Sequence, residues 1–162
     1  MKWLACCMIV ISSLLIGMSC RDRLRCKVKF LDEMLDFSRS TISQILYSSL
    51  PPDKLIENAS GQFFRSCRVH TGPGGDVRAG WIKAMGYCAE IKLLDADEKA
   101  MIEKIGSTLG IYDAEQQLSI SRGHLQELER MRERAAGQLD ERGRLYITCS
   151  VLLGALTAIL II

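Results

Sequence analysis

The stretch WLACCMIVISSLLIGMSC, residues 3–20, contains no charged side chain. A second uncharged stretch, LYITCSVLLGALTAILII, occupies residues 145–162. A helix of such a length rises about 27 Å, close to the roughly 30 Å of a bilayer's hydrocarbon core. Trp3 and Tyr146 lie at the beginning of the two stretches, where aromatic rings favour the boundary between lipid and water. The pattern predicts one transmembrane helix at each end of the chain.

Charge is confined to the middle of the chain. The 124 residues from Arg21 to Arg144 hold 20 of the 21 Lys and Arg residues and all 19 Asp and Glu residues. Their number suits a single water-facing domain, residues 21–144. Only 3 prolines and 6% aromatic residues, with abundant Leu, Ile, Met, Arg and Glu, are typical of helices. We therefore expect an all-α protein, a helical bundle whose long first and last helices are continuous with the two transmembrane helices.

Basic residues flank both apolar stretches on their inner sides. The nearest of these membrane-flanking residues are Arg21, Arg23, Arg25, Lys27 and Lys29 after the first stretch, and Arg142 and Arg144 before the second. Only Lys2 lies outside them. Because positively charged flanks remain in the cytoplasm, we expect the central domain to face the cytoplasm and its basic flanks to meet membrane lipid.

Two other interpretations of the first stretch are open. It resembles a signal peptide, and Ser19-Cys20 resembles a lipoprotein cleavage site at which the chain would be cleaved or lipidated. Either would require the whole basic flank to be translocated, which the charge pattern disfavours.

Start and stop signals divide the central segment into helices. No Gly or Pro interrupts residues 21–50, which predicts one long helix, and Pro51-Pro52 ends it and opens the next. Gly61 separates that helix from another, and residues 77–85 carry an apolar stripe that includes Trp81 and Ile82. Capping-box spacing occurs twice, at Asp95 with Glu98 and at Asp113 with Gln116. The last helix should pack through an apolar stripe that Arg132 interrupts, formed by Leu118, Leu125, Leu128, Ala135 and Leu139.

No pattern of catalytic or ligand-binding residues is present in the sequence. The 7 cysteines are scattered without a C-x-x-C pair, and His70 and His124 stand alone. The Gly-Pro-Gly-Gly loop at 72–75 lacks the Lys-Ser/Thr that a phosphate-binding loop requires. We therefore expect reduced thiols, no cofactor, no metal site and no enzyme activity. The central segment, with 20 basic and 19 acidic residues, is also too nearly neutral for a typical nucleic-acid binder.

Two motifs in the second half of the chain resemble those of a known family. The first is Leu109-Gly110 followed by Asp113-x-Glu115-x-Gln117, and the second is Gly143-Arg144-Leu145-Tyr146 with Gly154 and the apolar terminus. With them the chain resembles the stage III sporulation protein AB family of spore-forming Firmicutes, which has a similar Leu-Gly and Asp-Arg-Glu-x-Gln at the start of the last helix. Residues 61–89 match the family poorly, and Cys149-Ser150 stand where it usually has glycine.

The resemblance implies a function and a set of partners. A family member is expected in the mother-cell membrane around the forespore during engulfment, with its domain in the mother-cell cytoplasm. That domain would be similar to the helical domain of the platform protein of type II secretion and type IV pilus machines. The implied role is a non-enzymatic part of a channel, with the stage III sporulation AA ATPase and other AA–AH proteins as partners and a homo-oligomer left open. Asp113, Glu115 and Gln117 are the candidate partner-binding residues.

Other classes of function fit the sequence less well. A membrane-anchored helical sensor or regulator is the alternative interpretation, and co-purification with a kinase or phosphatase rather than an ATPase would indicate it. An enzyme would need a catalytic constellation that the sequence does not display.

Overall fold

Helices make up most of the residues that a computed structural model describes, whose backbone covers 2–47, 52–72 and 75–161. Side chains are described within these ranges except at 2–7, 9–10, 52–53, 147, 155 and 158–161. The described ranges contain helices and no strand, which confirms the all-α class. The helices are α1 (Lys2–Tyr47), α2 (Pro52–Asn58), α3 (Gln62–Thr71), α4 (Val77–Tyr87), a 3-10 turn (Glu90–Leu93), α5 (Ala96–Thr108) and α6 (Ala114–Ile161).

The chain divides into two compact units. The first consists of Met1–Val28 and Glu133–Ile162, and the second is Lys29–Arg132. Within the described residues, no helix combines the length and the apolar character needed to cross a membrane. That finding does not support the transmembrane helices predicted at 3–20 and 145–162.

An aromatic cluster forms the core of the second unit. It contains all four phenylalanines of the chain together with Trp81 of α4. The ring of Trp81 lies 4.9 Å from that of Phe63 and 5.8 Å from that of Phe37, and its indole N–H donates to the carbonyl of Ile102 at 3.0 Å. Because aromatic pairs at such distances add stability beyond their buried area, the cluster joins α1, α3, α4 and α5.

Local signals place most of the helix ends in the second unit. α2 begins at Pro52, as its preset φ favours, and the complete capping box of Asp95 and Glu98 starts α5. The guanidinium of Arg68 donates to the carbonyls of Ile56, Glu57 and Ala59 at 2.9–3.1 Å. These bonds satisfy carbonyls that the end of α2 leaves without helical partners.

The two predicted apolar stripes are confirmed only in part, since Trp81 of α4 and Leu128 and Ala135 of α6 are buried but other members are not. Ile82 is 61% exposed, because α4 turns Gly80, Trp81 and Ala84 toward the core instead. The buried line of α6 begins on polar residues rather than on Leu118 and Leu125, which are half-buried. Its members are Gln117, Ser121, His124, Leu128, Met131 and Ala135. Apolar periodicity alone missed the first three positions of this line because they are polar.

Candidate functional site

The turn between α5 and α6 presents the candidate partner-binding residues. Gly110, with φ +72°, reverses the chain after α5 in a conformation that other residues rarely adopt. The carboxylate of Asp113 then accepts the N–H of Gln116 at 3.3 Å, and its carbonyl accepts the N–H of Gln117 at 2.8 Å. Asp113 is therefore the N-cap of α6, as the sequence predicts.

The three candidate residues do not share one surface. Asp113 and Glu115 are exposed, whereas Gln117 is only 7% exposed and its Oε1 has no hydrogen-bond partner. Ile111 and Tyr112, immediately before Asp113, are exposed instead. Sequence reasoning passed over these two residues, although an apolar pair between a helix-ending glycine and a capping aspartate lies in a turn, where burial is hard to achieve.

Two ion pairs join α1 and α6 within the second unit. Nε of Arg132 lies 2.8 Å from Oδ1 of Asp32, and Nη2 of Arg39 lies 3.1 Å from Oε1 of Glu129. The residue number on α6 falls as that on α1 rises, so the helices are antiparallel here. Arg132, which interrupts the apolar stripe in sequence, thus has a partner on the facing helix. Such half-exposed pairs contribute about 0–1 kcal/mol each.

The antiparallel order brings the end of α1 to the same end of the second unit as the beginning of α6. Leu46 and Tyr47, the last described residues of α1, are exposed, and Tyr47 is 84% exposed.

The first unit has small residues inside and large apolar residues outside. Ser13 donates its hydroxyl to the carbonyl of Ser150. A Cβ atom on Gly17 would lie 3.0 Å from the carbonyl oxygen of Tyr146 and closer still to the Ser150 side chain, so α1 and α6 touch there only because residue 17 is glycine. Large apolar side chains of the same two helix segments are exposed: Met8, Ile11, Leu15, Ile16, Leu152, Leu153 and Leu156.

The membrane-flanking basic residues differ in accessibility. Arg23, Arg25, Lys29, Arg142 and Arg144 are exposed, and Arg21 is half-buried. Lys27 is 5% exposed, so it presents almost no surface to lipid. The structure therefore leaves six of the seven predicted residues at least partly accessible.

Glu33 lines a cleft of about 220 Å³ in the second unit. Burial raises the pKa of Glu33, and the neighbouring Glu90 raises it further, against an opposing effect of Lys29. Its Oε2 has no hydrogen-bond partner, and Gly61 accommodates it, since a Cβ there would lie 2.2 Å away. Lys29 is 3.9 Å from the other oxygen, which makes a weak pair.

The described thiols and imidazoles give no sign of catalysis. Burial raises the pKa of Cys67 to about 12 and that of Cys88 to about 11, so both thiols are protonated and weakly nucleophilic at neutral pH. Burial, then Lys104, lowers the pKa of His124. His70 stacks on Tyr87 with ring centroids 5.2 Å apart. Within the described residues, no cluster of three or more metal-binding side chains occurs.

Comparison with known protein families gives a match over nearly the whole chain. A family model described as Stage III sporulation protein AB (spore_III_AB) matches residues 2–162. No curated protein and no solved structure matches the chain. The match includes both apolar stretches and every described helix.

Proposed function

The chain belongs to the stage III sporulation protein AB family, and we propose that it is a non-enzymatic membrane component of a channel or secretion-like complex between mother cell and forespore. The family assignment implies a role in stage III sporulation. Within that role, the chain would anchor a helical platform for a partner ATPase in the mother-cell membrane around the forespore. Its second unit would face the mother-cell cytoplasm during engulfment.

The observation that supports this proposal concerns the first unit, where small residues form the contact between the helices and large apolar side chains are exposed. Lipid tails are as apolar as leucine, so helices in a bilayer associate through small residues that allow close approach and through interhelical hydrogen bonds. Gly17 against Tyr146 and Ser150, with the Ser13 hydroxyl bond, is such a contact. A water-soluble unit would bury the large apolar side chains that remain exposed here, because an extended apolar surface is unfavourable in water.

The charge pattern supports the orientation. Exposed Arg23, Arg25, Arg142 and Arg144 lie just beyond the two uncharged stretches. Basic residues at these positions favour the cytoplasmic side and attract anionic headgroups by about 1 kcal/mol each. Both flanks therefore favour a cytoplasmic second unit.

The second unit suits a mechanical role. Its aromatic core joins four helices, and two ion pairs bridge α1 and α6. A bundle held in one register can resist or relay force from a partner that changes shape with its bound nucleotide. The ATPase partner itself is inferred from the family resemblance.

Co-purification with the co-encoded AA ATPase tests the proposal. We expect the full-length protein, solubilised from sporulating cells in mild detergent, to retain the ATPase and to hydrolyse no ATP alone. Recovery with a signalling kinase or phosphatase instead of the ATPase would favour the sensor interpretation. Intrinsic ATP hydrolysis above background would refute the non-enzymatic role.

A further inference from the structure

We propose that the first unit binds the phosphate of an anionic phospholipid in an arginine clamp, formed by Arg21 of α1 with Arg142 and Arg144 of α6. The inference rests on the proposed function, because lipid surrounds these residues only if the first unit lies in a membrane. It goes beyond a diffuse attraction between basic flanks and headgroups, since it assigns one site and one class of lipid.

Gly143 brings the three arginines to one place. A Cβ atom at residue 143 would lie 3.4 Å from Cγ and 3.7 Å from Nε of Arg21, so the Arg21 side chain lies against α6 at this buried glycine. Arg142 and Arg144 are the neighbours of Gly143 in the chain, and their Cα atoms are therefore about 3.8 Å from its own. Both arginines are exposed. The long side chains of all three can thus reach the same phosphate.

The three guanidinium groups have no carboxylate partner among the described residues. Asp22, the acidic residue next to Arg21, lies 3.8 Å from Arg25 instead. Asp140 and Glu141 are exposed on the side of Gly143 away from the uncharged stretch, and neither pairs with a described cation. Arginine binds phosphate through paired N–H donors in a fixed fork. A phosphate would therefore supply the acceptors that these groups lack.

The surroundings select a phospholipid over other phosphates. Arg21 and Arg144 are the charged residues next to the uncharged stretches 3–20 and 145–162. Beyond them lie exposed apolar side chains, since Met18 is 48% exposed and Leu145 is 59% exposed. An acyl chain can cover these side chains while its phosphate meets the arginines, whereas inorganic phosphate and nucleic acids carry no such chain. Three positive charges favour a headgroup of net negative charge.

Titration of the full-length protein in a neutral detergent with short-chain phosphatidylglycerol, followed by calorimetry, tests the clamp. Arg21→Gln removes one guanidinium group, and Gly143→Leu adds a side chain where Arg21 lies without changing any charge. The matched controls are Arg23→Gln, which removes an exposed arginine nearby on α1, and Gly137→Leu, since a Cβ there would meet nothing within 4 Å. Circular dichroism verifies that each variant keeps its helices.

The expected result is specific to the clamp. The wild type should bind phosphatidylglycerol about tenfold or more tightly than phosphatidylcholine of the same chain length, whose headgroup has no net charge. Each clamp variant should weaken the dissociation constant for phosphatidylglycerol about tenfold or more. Each control should change it by less than about threefold.

Four results would overturn the inference. Equal weakening by Arg21→Gln and Arg23→Gln would indicate diffuse attraction, and wild-type affinity in Gly143→Leu would show that no clamp is built at residue 143. Displacement of the lipid by equimolar inorganic phosphate would indicate a site for free phosphate. If the wild type binds no phosphatidylglycerol but stays in the membrane on carbonate extraction, the inference is wrong and the proposed function stands, whereas release by carbonate would contradict the proposed function itself.

Discussion

Replacing Gly106 by alanine tests the core of the second unit at one position. Alanine is favoured over glycine inside a helix by about 1 kcal/mol, so propensity alone predicts stabilisation. The structure predicts the opposite sign. A Cβ at residue 106 would lie 2.3 Å from Cδ1 and 2.5 Å from Nε1 of Trp81. The indole cannot move aside easily, because Phe63 packs on it and the Ile102 carbonyl accepts its N–H.

The size of the effect follows from these opposing contributions. Overpacking a core costs about 1–3 kcal/mol, and losing the indole hydrogen bond adds about 1 kcal/mol. After the propensity gain, Gly106→Ala should destabilise the protein by roughly 1–3 kcal/mol. Urea unfolding of the full-length protein in detergent measures this through Trp81 fluorescence, in a Trp3→Phe background that removes the other tryptophan.

Gly123→Ala is the matched control. A Cβ at this exposed α6 position would meet nothing within 4 Å, so only propensity acts and the variant should gain up to about 1 kcal/mol. The reasoning is refuted if Gly106→Ala gains as much stability as Gly123→Ala.

Three further predictions concern single residues outside this core contact. Because the pKa of Glu33 is raised above its ordinary 4.5, ionisation of its carboxyl lowers the stability of the folded protein as pH rises through the folded-state pKa, and has no such effect below 4.5. Glu33→Gln should therefore raise the melting temperature at pH 7.5 and not at pH 4. Equal changes at both pH values would contradict this. Asp113→Ala should lose about 1 kcal/mol in the same urea experiment, while Asp113→Ser, which keeps a capping oxygen, should lose little; equal losses would rule out capping. Gly17→Leu should lower the melting temperature, because the new side chain would collide with the Tyr146 carbonyl. Gly137→Leu is the control and should change the melting temperature little, since residue 137 has open space around it. Equal changes for the two variants would show that the contact at Gly17 is unimportant.

Helix ends were the part of the fold that the sequence predicted best. Pro52, Gly61 and the Asp95 and Asp113 caps act through the backbone within a few residues, so their effect can be read from local sequence. The predicted long first helix ends at Tyr47 among the described residues, and residues 48–51, where its predicted end lies, are outside them.

Tertiary placement was harder to predict. Periodicity cannot tell that Ile82 faces solvent while Gly80 packs, because a Cβ at residue 80 would lie only 3.0 Å from the backbone nitrogen of Thr71 on α3, and only the fold shows that close approach. It also cannot tell that Gln117 is buried while Ile111 and Tyr112 are exposed. Those positions depend on where α5 ends relative to α1, which is a long-range property.

The central claim is that the chain is a membrane-anchored protein whose second unit faces the cytoplasm. Its most direct test is a reporter inserted after Thr71 in the full-length protein, combined with alkaline carbonate extraction of the membranes. The account predicts that the protein stays in the membrane pellet and that the reporter gives a cytoplasmic signal. Release of the protein by carbonate, or an external reporter signal, would contradict it.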